Sequence, residues 1–395
     1  MDTQNTPVHA KLWHKAFWML ALANLLLTSA VYMQIVMVPS LFSALGLSLG
    51  QVACVFGVYA IGLYGLGARC SYLVQTYRRN RVCINSLLGV ILSLGAIWLL
   101  SETSKRLPVD LYFALRLGAS LSLGVFYGLA QMVLMSTLII DVCESFKRTE
   151  ANYAAGWFSR MALSLGPVMC VVAGMLGGVH VSELAAIALV VGALFLVSLV
   201  SFPFKAPDDQ VPKISLDRFL LPQGFALFFN QIAILLVVGM LLAGNFNLAF
   251  YGMVFVGLLL AIVSERLVFA NADLKSEIIT GHFVIIIALL LLLLKGQDTS
   301  VRMIVPVLIG LGVGIIGARF QLFFIKLSNH CQRGTSQSSF FLSWESGLFG
   351  GLSFGYFLLE FHPTVLLKAA ILLSVVSLIC YHFYTHTWYV KNKNR

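Results

Sequence analysis

The sequence predicts an all-α membrane protein with twelve transmembrane helices in two pseudo-symmetric six-helix bundles. Three observations predict it. The 395 residues are 59% hydrophobic and only 11% charged, with a mean hydropathy of +0.91. Unbroken apolar runs recur at close to the ~20 residues that a helix needs to cross ~30 Å of hydrocarbon. A polar, proline-rich stretch near the middle separates two halves that echo each other.

So few charges cannot cover a water-facing surface of this size, so the surface is solvated by lipid. In lipid every backbone amide is paired within the protein, which leaves helices or closed barrels. A barrel would alternate apolar and polar residues over segments of about ten residues; here Val284–Leu294 is apolar throughout. The spans read, in order, 16–38, 50–74, 82–101, 110–138, 153–177, 182–203, 219–243, 246–268, 277–295, 301–327, 337–359 and 364–386. The first, beginning at Ala16, is too long for a cleavable signal and is followed by many more. Pro203, Pro207, Asp208, Asp209 and Pro212 interrupt the pattern. The chain divides into an N-terminal bundle (1–203), a linker (204–218) and a C-terminal bundle (219–395).

With the N-terminus in the cytoplasm, inward segments carry eighteen Lys and Arg against five outside, which places both termini inside a cell inner membrane. The net charge of +10 belongs to these loops, facing anionic membrane lipid. No basic stripe is interleaved with aromatics, so nucleic acid is excluded as a partner. Cys54, Cys70, Cys83, Cys143, Cys170, Cys331 and Cys380 have no metal-ligand spacing and read as free thiols.

The halves repeat at an offset of about 185 residues. Arg148–Asn152 opens span 5 as Arg333–Gln337 opens span 11. Trp157 or Trp344 follows, then Gly166-Pro167 or Gly350-Gly351. Duplicated six-helix units point to alternating access around a shared central site.

Together these features resemble the major facilitator superfamily. The stretch GARCSYLVQTYRRNR (Gly67–Arg81) is similar to its span-2/3 signature, with Gln75-Thr76 where an acidic–basic pair is expected. Arg116 with Gly118 resembles its span-4 signature, and Gly166-Pro167 the core of its span-5 antiporter signature. RGTSQSSFFLSWESG (Arg333–Gly347) resembles the start of span 11 in bacterial drug- and sugar-efflux members. The resemblance implies that spans 1, 4, 7 and 10 line the cavity.

A charge within hydrocarbon costs at least ~2.5–3.5 kcal/mol and needs a partner or a wet cavity. Arg116 therefore reads as an anion- or proton-relay group facing the cavity, on a helix that also presents Ser120, Tyr127 and Gln131. Glu345 and Arg319 fall at similar depth on neighbouring spans, about 10–13 Å inside the cytoplasmic edge, and suggest an ion pair that carries the coupled proton. Asp141 is a second titratable candidate. Arg160 stands at the repeat position of Glu345, with Asp141 and Glu144 as its expected carboxylates; with Arg78, Arg79, Arg81 and Arg148 they form an expected cytoplasmic charge lock. Asn24, Thr28 and Tyr32 recur every four residues on span 1. With Asn230 and Gln231 on span 7 they are candidate substrate contacts, and Phe228, Phe229, Tyr127 and Trp344 a candidate apolar wall. Each has a purely structural alternative in helix–helix hydrogen bonding or packing. Gly310 and Gly314 read as packing residues.

No GxxxxGK[ST] or HExxH is present, and no metal or cofactor is expected. The expectation is a monomeric, proton-coupled secondary active transporter moving a small organic solute across the membrane by alternating access, export slightly favoured over uptake. The alternatives are an uncoupled facilitator, an uptake permease and a polytopic enzyme acting on lipid-linked substrates.

Overall fold

A computed structural model describes residues 11–202, 210–245 and 247–394. Every regular element among them is helical. Ten helices are long and apolar enough to cross a membrane. One of them, Arg148–Ser198, holds two spans, broken only at Gly177 and Gly178, where φ is +75° at Gly178. The loop expected between spans 5 and 6 is thus reduced to a glycine pair. Arg333–Phe361 is a further helix of 29 residues that its serines and Glu345 make less apolar. The twelve spans are α1 (Lys15–Ala44), α2 (Leu49–Thr76), α3 (Arg79–Thr103), α4 (Val109–Asp141), α5 (148–176), α6 (179–198), α7 (Pro222–Leu242), α8 (Leu248–Leu267), α9 (Leu274–Lys295), α10 (Thr299–Leu327), α11 (Arg333–Phe361) and α12 (Pro363–Asn392). The molecule is a multi-pass membrane protein. Of the linker, residues 203–209 lie outside the described residues. The start of α1 and the end of α12 share one end of the molecule with the Arg-rich α2–α3 turn, called here the basic end; the opposite one is the far end.

Helix packing repeats between halves. α1 packs on α5 and α7 on α11; α2 and α3 pack on α4, as α8 and α9 pack on α10. The bundles meet along α2 against α11 and α5 against α8. Two crossings recur because glycines let backbones touch. A Cβ at Gly62 would lie 2.5 Å from the Leu121 carbonyl, and one at Gly257 would lie 2.1 Å from that of Val307. Gly310 faces Val254 at the second crossing and serves packing, as its spacing suggests. Gly257→Val should therefore force α8 and α10 apart and cost about 1–3 kcal/mol or more. Gly252→Ala on the same helix, where a Cβ meets nothing within 4 Å, should leave the midpoint of thermal unfolding unchanged. Equal midpoints for the two variants would contradict this account of the crossing.

Candidate functional site

The serine-rich first half of α11 would be costly in lipid, and it is buried against other helices from Thr335 to Glu345. That burial carries Glu345 to the seam between the bundles. Its side chain is 2% exposed, and no basic group pairs with it among the described residues. Tyr32 of α1 donates its hydroxyl to Glu345 Oε1 at 2.7 Å, and Tyr127 of α4 donates to the same oxygen at 3.1 Å. Trp344 Nε1 donates to the Tyr32 hydroxyl at 3.0 Å. Gln131 Nε2 donates to Thr28 Oγ1 at 2.6 Å and reaches the Tyr127 hydroxyl at 3.4 Å. Glu345 Oε2 is buried with no hydrogen-bond partner. A carboxyl from one bundle is thus held by two phenols of the other.

Beside it lies a void of about 30 Å³ lined by Gln131, Gly156, Arg160, Gln337, Trp344 and Glu345. A water needs about 10–15 Å³ of such volume, so the void has room for one or two waters and none for an organic solute.

The seam is closed on both sides of this void. Toward the far end, the tilted rings of Tyr59 and Phe349 meet with centroids 4.3 Å apart, Phe56 and Tyr356 stack at 5.8 Å, and Ser353 Oγ donates to the Ala53 carbonyl. Toward the basic end, Gln321 of α10 accepts from Arg160 Nη1 at 2.9 Å and donates to the Asn152 carbonyl at 2.7 Å, both on α5. Tyr153 of α5 donates to Glu265 of α8. Beyond them the end of the linker crosses the seam. Asp217 accepts from Ser71 of α2 and from Thr335 of α11, each at 2.9 Å, and Arg218 Nη1 donates to Thr137 of α4 at 2.7 Å. Arg218 adopts a left-handed φ of 56°, uncommon for a non-glycine residue. Burial, and then the Arg79 charge, push its pKa below the usual guanidinium value.

Several expected partners differ. Glu345 does not pair with Arg319. Arg319 projects from α10 toward α9 and forms an ion pair with Glu277, whereas Glu345 faces α1 and α4. Arg160 reaches neither Asp141 nor Glu144. Its guanidinium stacks on Trp157 at 4.2 Å, and Asp141 is taken by Arg79 within the N-terminal bundle. The expected charge lock is thus one ion pair plus hydrogen bonds between charged groups and neutral partners, with Arg78 and Arg81 lining an outer groove away from the seam. Glu144 and Arg148 lie at the α4–α5 turn. Asn24 bonds Ser159 and the Ala155 carbonyl inside its own bundle. Asn230 donates to the Ser377 carbonyl of α12, and Gln231 accepts from Ser343. Phe229 is 64% exposed and forms no part of an inner wall. Arg116 is buried and donates to Gln34 at 2.9 Å, with Nε and Nη1 unpartnered. Gln321, Asp217, Tyr59 and Phe349 went unnoticed in the sequence. Gln321 alone carried a signal, as an amide within an otherwise apolar run.

No family model matches this sequence, and no curated protein sequence matches it. Solved structures do match. A bacterial homologue of the iron transporter ferroportin in an outward-facing state aligns at a TM-score of 0.68 and 14% identity, over 94% of this chain and 99% of that one. The inward-facing state of a bacterial ferroportin homologue aligns at 0.67 and 13%, over 95% and 98%. The human organic anion transporter MFSD10 aligns at 0.64 and 13%, over 93% and 99%. With the twelve spans, the repeated crossings and the central seam, these similarities establish that the chain has the major facilitator fold.

Proposed function

We propose that this protein is a secondary transporter working by alternating access, with Glu345 as its proton carrier. The observation that carries the reading is a carboxyl buried at the bundle seam, held by Tyr32 and Tyr127 from the opposite bundle, with no ion pair to Arg160 across the adjoining void. An ionised carboxylate there would lack bulk solvent and a paired counter-ion, at a cost of several kcal/mol. The closed form therefore carries Glu345 with its proton. Parting the bundles at either end admits water and breaks the bonds to Tyr32 and Tyr127, so the proton leaves to the side that opens. A void of about 30 Å³ admits no organic solute, so binding also requires the bundles to part. Outward- and inward-facing neighbours with this fold support such a cycle. The basic loops support a placement in the inner membrane with both termini cytoplasmic. The substrate is a small organic solute, export is the favoured direction, and one chain encloses the whole site as a monomer.

Proteoliposomes test the proposal. Candidate solutes are first screened by thermal stabilisation of the purified protein. Uptake of a stabilising solute should then follow an imposed pH gradient and stop when a protonophore collapses it. Flux indifferent to the gradient would leave an uncoupled facilitator and remove the proton role.

A further inference from the structure

We infer that the solute is a small carboxylate with an apolar body, received between the bundles by Arg160 and Gln337. The inference rests on the transport reading above and names the class of solute for the same seam. Arg160 of α5 is 1% exposed and lines the central void. It lies about 18 Å along α5 from Arg148, deep in the span. The face of its guanidinium stacks on Trp157, with Cζ 4.2 Å from the ring centroid, which stabilises the charge and leaves the edges of the group free. At those edges Nη1 donates to Gln321 Oε1 at 2.9 Å, while Nε and Nη2 are buried with no hydrogen-bond partner among the described residues. Nε–H and Nη2–H together form the side-on fork that receives both oxygens of a carboxylate.

Gln321 sets a third donor. An arginine only donates, so the amide oxygen of Gln321 faces Arg160 and its Nε2 donates to the Asn152 carbonyl and, at 3.1 Å, to Gln337 Oε1. Gln337, which also lines the void, is thereby left with its Nε2 as a buried, unpartnered donor. Gly156 makes room for the arrangement, since an added Cβ there would fall 2.2 Å from Gln321 Oε1. Two free N–H groups of one bundle and an amide of the other thus border a single void. Buried donors without acceptors are costly, and a ligand that brings acceptors relieves the cost. With Glu345 carrying its proton, the formal charge on this lining is that of Arg160, so an anion is selected. A carboxylate offers about four lone-pair sites to these donors. Phe340, Phe341 and Trp344 of α11 border the rest of the void and suit an apolar or aromatic body. The closed void, at about 30 Å³, excludes such a solute, and the donors receive it once the bundles part.

The test uses the full-length protein in detergent, titrated with benzoate, phenylacetate and cinnamate and with the corresponding amides, which keep the ring and lose the charge. Binding is read by titration calorimetry, with the unfolding midpoint followed alongside. At least one carboxylate should bind and raise the midpoint, and its amide should bind about tenfold more weakly or worse. Losing one hydrogen bond to a charged group is worth about tenfold, so Arg160→Lys, which keeps the charge and loses the fork, and Gln337→Leu should each weaken that carboxylate about tenfold or more. Gln337→Leu leaves the guanidinium in place and keeps the test decisive should Arg160→Lys fail to fold. Arg302→Ala, at an exposed arginine of the far end, should change nothing. No binding by any of the three carboxylates, equal binding of acid and amide, or undiminished binding in Gln337→Leu or in folded Arg160→Lys would overturn the inference. Binding in detergent needs no gradient, so the two readings fail separately. Flux of a bound carboxylate that ignores the pH gradient would remove the proton role alone, and proton-driven flux of a solute without a carboxylate would remove this inference alone.

Discussion

Glu345→Gln should abolish proton-driven accumulation while sparing solute exchange. The amide keeps the shape of the side chain, and its oxygen still accepts from Tyr32 and Tyr127, so the closed seam survives; only the capacity to carry a proton is lost. One pH unit is worth 1.36 kcal/mol, which is tenfold in concentration for one coupled proton. In proteoliposomes with a one-unit gradient the accumulation ratio should fall from about ten to one. Counterflow of labelled against unlabelled solute, which needs no proton release, should persist. Accumulation retained in the variant would remove Glu345 from the coupling role, and loss of counterflow together with a lowered unfolding midpoint would mark it as a structural residue.

Arg319→Ala should give the largest loss of stability among single changes at charged groups. The side chain of Glu277 is 1% exposed and has Arg319 as its ion-pair partner. Removing one member of a buried pair leaves an uncompensated charge and costs about 3–5 kcal/mol. About 3 kcal/mol is expected here, because Arg319 keeps 13% exposure and Glu277 sits in the first turn of α9. Arg319→Met with Glu277→Leu removes both charges and should recover most of the loss. The readout is thermal or denaturant unfolding of the three proteins in one detergent. A double variant no more stable than Arg319→Ala would show that packing of the Arg319 stem, and not the orphaned charge, held the helices.

The same helix shows why part of the site was legible in the sequence and part was not. Arg319 and Gln321 are two residues apart on α10, which turns them about 200° from one another. One faces α9 within its bundle, and the other bridges to α5 across the seam. The depth of Arg319 could be counted from the end of its span, and it matched that of Glu345. Its direction could not, since a span edge uncertain by two residues leaves rotation about the helix axis undetermined. Arg160 and Asp141 failed to meet for the same reason. Tyr32 and Thr28, which share a four-residue spacing, both join the hydrogen-bond network around Glu345, yet Asn24 on the same stripe bonds α5 of its own bundle, because the stripe runs past the edge of the seam.

Alone, the sequence determined that this chain lies in lipid, that it crosses as twelve helices and that its halves are duplicates. These properties depend on composition, on the length of apolar runs and on local repetition, all of which are one-dimensional. Only the tertiary structure decided which side chains share the seam, that Glu345 is held by two tyrosines instead of an arginine, and that the linker's Asp217 and Arg218 cross between bundles. Those outcomes depend on helix rotation and on contacts such as Tyr32 to Glu345, 313 residues apart in the chain, and no local pattern encodes them.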